Sequence, residues 1–242
     1  MTPDDEPPIP PSIELAWGRR PRATRGPKPG LTLDRIVAAG IKVAMTEGIG
    51  ALSMTRVASE LGVGTMSLYR YVAAKDELLT LMVDTALGTP APAPPGEDWR
   101  AGLTRWAVGV RTAYQRHPWA LRVPISAPPL GPNNVTWLEN ALEALAATPL
   151  SEQEKLSTVL LVSGFVRNDV TLDLDLAAGA AGENVMPTYA QMLAALIQGG
   201  DFPALEAAIA SGALGDEDDP DSEFEFGLKC VLDGVAALIA RS

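Results

Sequence analysis

A chain of 242 residues with 47% apolar side chains can bury the core of one or two domains, yet its apolar runs break at charge or glycine before the roughly 20 residues of a membrane span. The single cysteine, Cys230, excludes an intramolecular disulfide framework and a multi-cysteine metal site, and the opening TPDDEPPIPPS has no signal-peptide regions, so a cytoplasmic location is expected. The net charge of −11 argues against a nucleic-acid partner only until it is located: residues 1–18 carry four acids and no base, residues 19–80 ten bases and five acids, and residues 81–242 nine bases and 21 acids.

In chain order, residues 1–12 are rich in proline and acid and are expected to be disordered. The segment RRPRATRGPKP follows, with Arg19, Arg20, Arg22, Arg25 and Lys28 set among proline and glycine. It cannot be helical, but it can lie as an extended arm along a DNA groove or serve as a solvated linker. Residues 31–48 predict a helix with Thr32 as N-cap and Ile36, Val37, Ile41 and Ala44 as its buried stripe.

Residues 53–71, SMTRVASELGVGTMSLYRY, have the spacing of a helix-turn-helix. Ser53 caps a short helix that buries Val57, Ala58 and Leu61, and Gly62 ends it in a left-handed conformation. Ala58 is small where two helices cross. A second helix starts near Gly64 and Thr65, turns Leu68 inward and presents Thr65, Met66, Ser67, Tyr69, Arg70 and Tyr71 outward. Polar, aromatic and basic groups on one face suit base edges and phosphates better than plain solvent. Another helix begins at Lys75, whose ammonium lies near a helix start beside the recognition helix.

Residues 32–84, and especially ALSMTRVASELGVGTMSLYRYVAAKDELL, resemble the DNA-binding domain of the tetracycline-repressor-like (TetR) family of bacterial transcriptional regulators. The Leu-Ser opening, the Ala-x-x-Leu-Gly-Val turn, the Leu-Tyr pair and the Lys-x-x-Leu-Leu start occur together and in order. The resemblance implies an all-α homodimer with an N-terminal helix-turn-helix domain and a larger helical C-terminal domain for ligand binding and dimerisation. By position it implies DNA contacts from Thr55, Arg56, Thr65, Met66, Ser67, Tyr69, Arg70, Tyr71 and Lys75. Met66 departs from the family's usual residue and offers a base only apolar contact, such as to a thymine methyl.

The run TPAPAPPG, residues 89–96, can be neither helix nor paired strand and is expected to be a loose hinge. The expected division is a tail and basic arm over 1–30, a DNA-binding domain over 31–88 and a regulatory and dimerisation domain over 97–242. In the last, Trp99, Leu103, Trp106, Val110 and Ala113 share a helix face that ends near His117 before Pro118. Residues 124–134 read as a loop and 137–147 as a helix. A Ser151/Glu154 capping box then opens a long helix with Leu156, Val159, Leu160, Phe165, Val166 and Val170 apolar.

Trp106, Trp119 and Trp137 read as core by spacing, and the resemblance points to a cavity that they and Phe165 line; His117 reads as a helix-end residue or a ligand contact, and Arg167 and Asn168 as internally paired or solvent-facing groups or as polar contacts to an inducer. Residues 172–185 are expected to be irregular, followed by helices over 187–199, 202–210 and 223–240, the last opened by a Ser222/Glu225 capping box. On that helix Gly227, Cys230, Gly234 and Ala237 form a small stripe that suits close approach of a second helix, either within the subunit or across a dimer axis. One histidine, one cysteine and no phosphate-binding loop support no enzyme, cofactor or metal site. The expected function is a sequence-specific regulator of a palindromic operator on double-stranded DNA, a repressor released by a small-molecule inducer. The competing reading is a DNA-binding protein whose C-terminal domain takes a protein partner and no inducer.

Overall fold

The structure, a computed structural model, describes residues 9–19, 30–125, 128–179, 185–215 and 221–241, and every regular element among them is helical. Arg20, Arg22, Arg25 and Lys28 of the basic arm lie outside the described residues, as do residues 216–220 of the acidic run. The packing divides into two compact units, Met1–Ser163 with Ser242 and Gly164–Arg241. The boundary therefore falls within a helix, well beyond the proline-rich run.

In the first unit, α1 (Pro11–Ala16) corrects the expectation of disorder through residue 12. Proline is tolerated in a first helical turn, and Ser12 and Ile13 are buried against α2 (Leu33–Glu47) and α5 (Lys75–Leu87). Ser12 donates its hydroxyl to Glu77, and the Trp17 indole N–H donates to the carbonyl of Leu130 at 2.8 Å. Thr32 caps α2 by accepting from the amide of Arg35 at 3.2 Å. Ile36, Val37 and Ala44 are buried as expected; Ile41 is only half-buried, and Gly40 and Val43 occupy the centre of the stripe instead.

The helix-turn-helix pair is α3 (Met54–Leu61) and the one-turn α4 (Thr65–Leu68). Beyond α5, α6 (Trp99–Arg116) ends on His117 as its C-cap, a 3-10 turn spans Pro118–Arg122, and α7 (Pro132–Leu145) follows. α7 begins five residues before the expected start, because Pro132 serves as its first residue instead of breaking it.

The run of residues 89–96 is not a loose hinge. Arg105 binds Glu97 at 2.9 Å and donates to the carbonyl of Ala91 at 2.9 Å, while the Trp137 indole donates to Gly88 at 2.8 Å. Those bonds hold both ends of the run against α6 and α7.

α8 (Glu152–Gly179) opens with the expected box: Glu154 accepts from the Ser151 amide at 2.8 Å and from its hydroxyl at 2.6 Å. The helix continues through residues expected to be irregular, with Leu172 and Leu176 exposed along it. Val159, Val162, Val166 and Val170 are its buried line, whereas Leu156 and Leu160, expected inside, are exposed.

The second unit also holds α9 (Val185–Ile197), α10 (Pro203–Ala210) and α11 (Ser222–Ile239). Ser222 is already the first residue of α11, with Asp221 in the capping position, so the expected Ser222/Glu225 box does not start this helix. Phe165 of α8 stacks on Phe224 of α11 with centroids 5.6 Å apart.

Candidate nucleic-acid interface

Three fully enclosed side chains, Val57, Leu68 and Val72, hold the interface in place from behind. Ser53 caps α3 by accepting from the Arg56 amide at 3.1 Å. At the other end Gly62 adopts φ 67°, a left-handed conformation that costs least without a Cβ, and lets the Val63 amide bond the carbonyl of Ala58 at 3.0 Å. The turn is fixed at both ends, so the short α4 leaves it in a defined direction.

On that frame the recognition residues separate by what they touch. Met66 is 77% exposed and Tyr69 45% exposed; Arg70, Thr55 and Lys75 are exposed as well, and Thr65 and Ser67 are half-buried at the start of α4. Lys75 is the first residue of α5, next to the turn that ends the recognition segment. Together they form a surface of hydroxyl, phenol, thioether and cationic groups, which can hydrogen-bond phosphates, donate to base edges and cover a thymine methyl.

Two expected contacts have other duties. Arg56 is forked between Glu47 at 2.6 Å and Glu60 at 2.9 Å, and Lys42 also reaches Glu60 at 2.5 Å. The Arg56 hydrogen bond holds the Glu47 carboxyl below the usual range; Lys42, and after it Arg56, do so for Glu60, and both carboxylates push the guanidinium up in return. Tyr71 donates its hydroxyl to the carbonyl of Leu31 at 2.6 Å, tying the end of the recognition segment to the entrance of α2. Both residues shape the interface from its edge. Arg19, the one described residue of the basic arm, lies over the Trp17 ring at 5.9 Å.

The residues expected to meet a ligand fall in both compact units. In the first, Trp106 and Trp137 pack edge to face at 6.0 Å, and each indole N–H donates to a backbone carbonyl at 2.8 Å, that of Trp137 and of Gly88. Only their apolar ring surface remains to offer a ligand. His117 and Trp119 pack edge to face at 6.2 Å. In the second unit Phe165 lies half-buried on Phe224, Arg167 is half-buried and Asn168 is exposed.

Of the small stripe on α11, Cys230, Gly234 and Ala237 are exposed. Gly227 must be taken out of it: a Cβ there would come within 2.5 Å of the Phe165 ring, so its small size serves packing inside this chain.

Sequence reasoning missed the group that joins α5 to α7. Asp84, 3% exposed, accepts from the amide of Asn134 at 2.8 Å and the amide of Asn133 at 3.3 Å, and from both asparagine side chains at 2.8 and 3.1 Å. Gly131, the N-cap of α7, has no side chain to cap with, and Asp84 supplies a cap from another helix. A carboxylate three residues after Leu81 on a buried stripe, and a helix start reading Gly-Pro-Asn-Asn without its own cap, were the available signals. Among the described residues no cluster of His, Cys, Asp or Glu could hold a metal ion, and no helix is long and apolar enough to cross a membrane.

Comparison with known proteins agrees with this geometry. Residues 36–82 match the description "Bacterial regulatory proteins, tetR family", and residues 91–239 match "Tetracyclin repressor-like, C-terminal domain". The HTH-type transcriptional repressor DrrR1 of Streptomyces coeruleorubidus is 38% identical over 237 residues, covering 95% of this chain and 86% of that protein. The HTH-type transcriptional repressor Rv1353c of Mycobacterium tuberculosis is 30% identical over 239 residues, covering 95% and 88%. Among solved structures, the TetR family protein ActR of Streptomyces coelicolor in complex with actinorhodin has a TM-score of 0.74 at 30% identity, covering 87% of this chain and 99% of ActR.

Proposed function

The chain belongs to the TetR family of bacterial transcriptional regulators, and from that premise we propose that it is a homodimeric repressor of a palindromic operator, released when a small molecule binds its C-terminal helices. The observation that carries the DNA half is the exposed surface of Met66, Tyr69, Arg70 and Lys75 on a turn fixed by Leu68, Val57 and Gly62. The ligand half is supported by the crystallised complex of ActR with actinorhodin, a relative aligned over most of this chain. In this reading residues 31–88 read DNA and residues 97–242 receive the effector and form the dimer, although packing joins the first of these to α6 and α7.

Thr55, Thr65, Ser67 and Lys75 hold phosphates, Tyr69 and Arg70 choose bases, and the basic arm at Arg19, Arg20, Arg22, Arg25 and Lys28 adds affinity without selectivity. It works in the cytoplasm, where its DNA is. Selection of bound fragments from random duplex DNA, followed by anisotropy titration of the winning sequence, tests the reading. Tyr69→Ala and Arg70→Ala should each lose the preference for that sequence while retaining salt-sensitive binding to any duplex. Unchanged preference in both variants would remove α4 as the reading element.

A further inference from the structure

Where α6 stops, two buried nitrogen atoms have no partner among the described residues, and they belong to near neighbours in the chain, His117 and Trp119. Pro118 prevents the helix from continuing, and the 3-10 turn that follows carries Trp119 into the interior, where it is 5% exposed. The two rings meet edge to face with centroids 6.2 Å apart. Buried polar groups almost always find a partner, so two orphans at one point of the fold are unusual.

The contrast with the neighbouring indoles sharpens this. Trp106 and Trp137 are also buried, and each N–H is met by a backbone carbonyl at 2.8 Å. This fold thus supplies backbone acceptors for two of its buried indoles. Trp119 has no such acceptor.

We infer that Trp119 Nε1 and His117 Nδ1 form a polar anchor for an uncharged aromatic molecule bearing a hydroxyl or carbonyl oxygen. This rests on the effector reading above and names the chemistry that the effector brings. The indole nitrogen can only donate, so its partner is an acceptor. Burial, and after it the charge of Arg116, hold the imidazole below its ordinary pKa, so at neutral pH His117 carries one proton and its Nδ1 can either accept or donate. A hydroxyl answers both nitrogens by accepting from Trp119 and donating to His117; a carbonyl answers them by accepting from both. The anchor nitrogens sit on the His117 and Trp119 rings themselves, whose faces suit an aromatic skeleton in edge or offset contact.

The test uses the full chain labelled with 15N at its tryptophan indoles and a matched pair of probes, 1-naphthol and naphthalene. The Trp119 signal is identified by its loss in Trp119→Phe. Wild type should bind 1-naphthol at least ten times more tightly than naphthalene, with the Trp119 indole signal moving on addition of the naphthol alone. In Trp119→Phe, and in His117→Phe as a second variant, the ratio should fall to about one; a ratio taken on one protein cancels any general loss of shape. Equal binding of the two probes by wild type, or an undiminished ratio in both variants, overturns the anchor while the effector reading stands. An indole signal already at a hydrogen-bonded position and unmoved by 1-naphthol shows a pair satisfied by water, which also overturns it. Failure of 1-naphthol and naphthalene alike to bind overturns the anchor together with the reading of these helices as a site for aromatic effectors.

Discussion

At Arg56 the guanidinium is held by Glu47 and Glu60, which gives it a part in holding the reading element. The resemblance carried Arg56 into the expected contacts by position, but Glu47 lies on another helix and its approach could not be read from a linear pattern. By contrast the caps at Thr32, Ser53 and Ser151 were legible, because each acts on an amide three residues away. Arg56→Ala should therefore lower the melting temperature and leave the salt slope of DNA binding nearly intact, whereas Lys75→Ala should leave folding unchanged and reduce that slope by about one unit. The sign of the pH dependence follows from the carboxyls. Glu47 and Glu60 are held below their ordinary value of 4.5, so their contribution is present above that pH and lost as pH falls through the lowered values. Melting curves of wild type and Arg56→Ala should thus differ at pH 7 and converge below about pH 4. A gap that stays constant to pH 3 would mean that the ion pairs contribute nothing.

Among the elements, those with a strong period were legible and those that depend on a remote partner were not. α2, α3, α5, α6 and the start of α8 follow from apolar spacing and local caps. α1 did not, because a six-residue segment opening with proline has no helical period to detect; it is held by Ile13, by Ser12 on Glu77 and by Trp17 on Leu130. α7 was placed too late for the same reason, its cap being Asp84, 49 and 50 residues away in sequence. That cap also ties α7 directly to α5, the last helix of the DNA-reading region. Asp84→Ala strips the α7 terminus of its acceptor and leaves half-buried amides unpaired, at a cost of about 1–3 kcal/mol in urea unfolding. Gly131→Ala reaches the same site from the other side, since a Cβ would fall 2.1 Å from the Asp84 carboxylate oxygen. Its cost should be similar, and the double variant should cost much less than the sum of the two. Additive costs would show that Gly131 and Asp84 act independently.

At the scale of the whole molecule, the remaining question is what covers the far side of α11. The small stripe on this helix was legible in sequence as i, i+3, i+7 and i+10; which of its members faces inward was not, since that depends on where Phe165 arrives from α8. With Gly227 accounted for by that ring, Gly234 is left with open space where a Cβ would be, although glycine inside a helix costs on the order of 1 kcal/mol relative to alanine. Among the described residues nothing packs at that position to offset the cost. In the same unit Phe226 is 68% exposed, and Leu172 and Leu176 are exposed on α8, apolar side chains of the kind that a second copy covers. A two-fold symmetric dimer is also what the proposed palindromic operator calls for, with half-sites about 34–36 Å apart or a multiple of it. Sedimentation velocity should therefore find a dimer in wild type and in Gly234→Ala, because one methyl group fits at a helix crossing. Gly234→Leu should sediment as a folded monomer whose operator affinity falls by at least tenfold while its far-ultraviolet circular dichroism stays helical. An intact, operator-binding dimer in the leucine variant would move the two-fold interface off this face of α11.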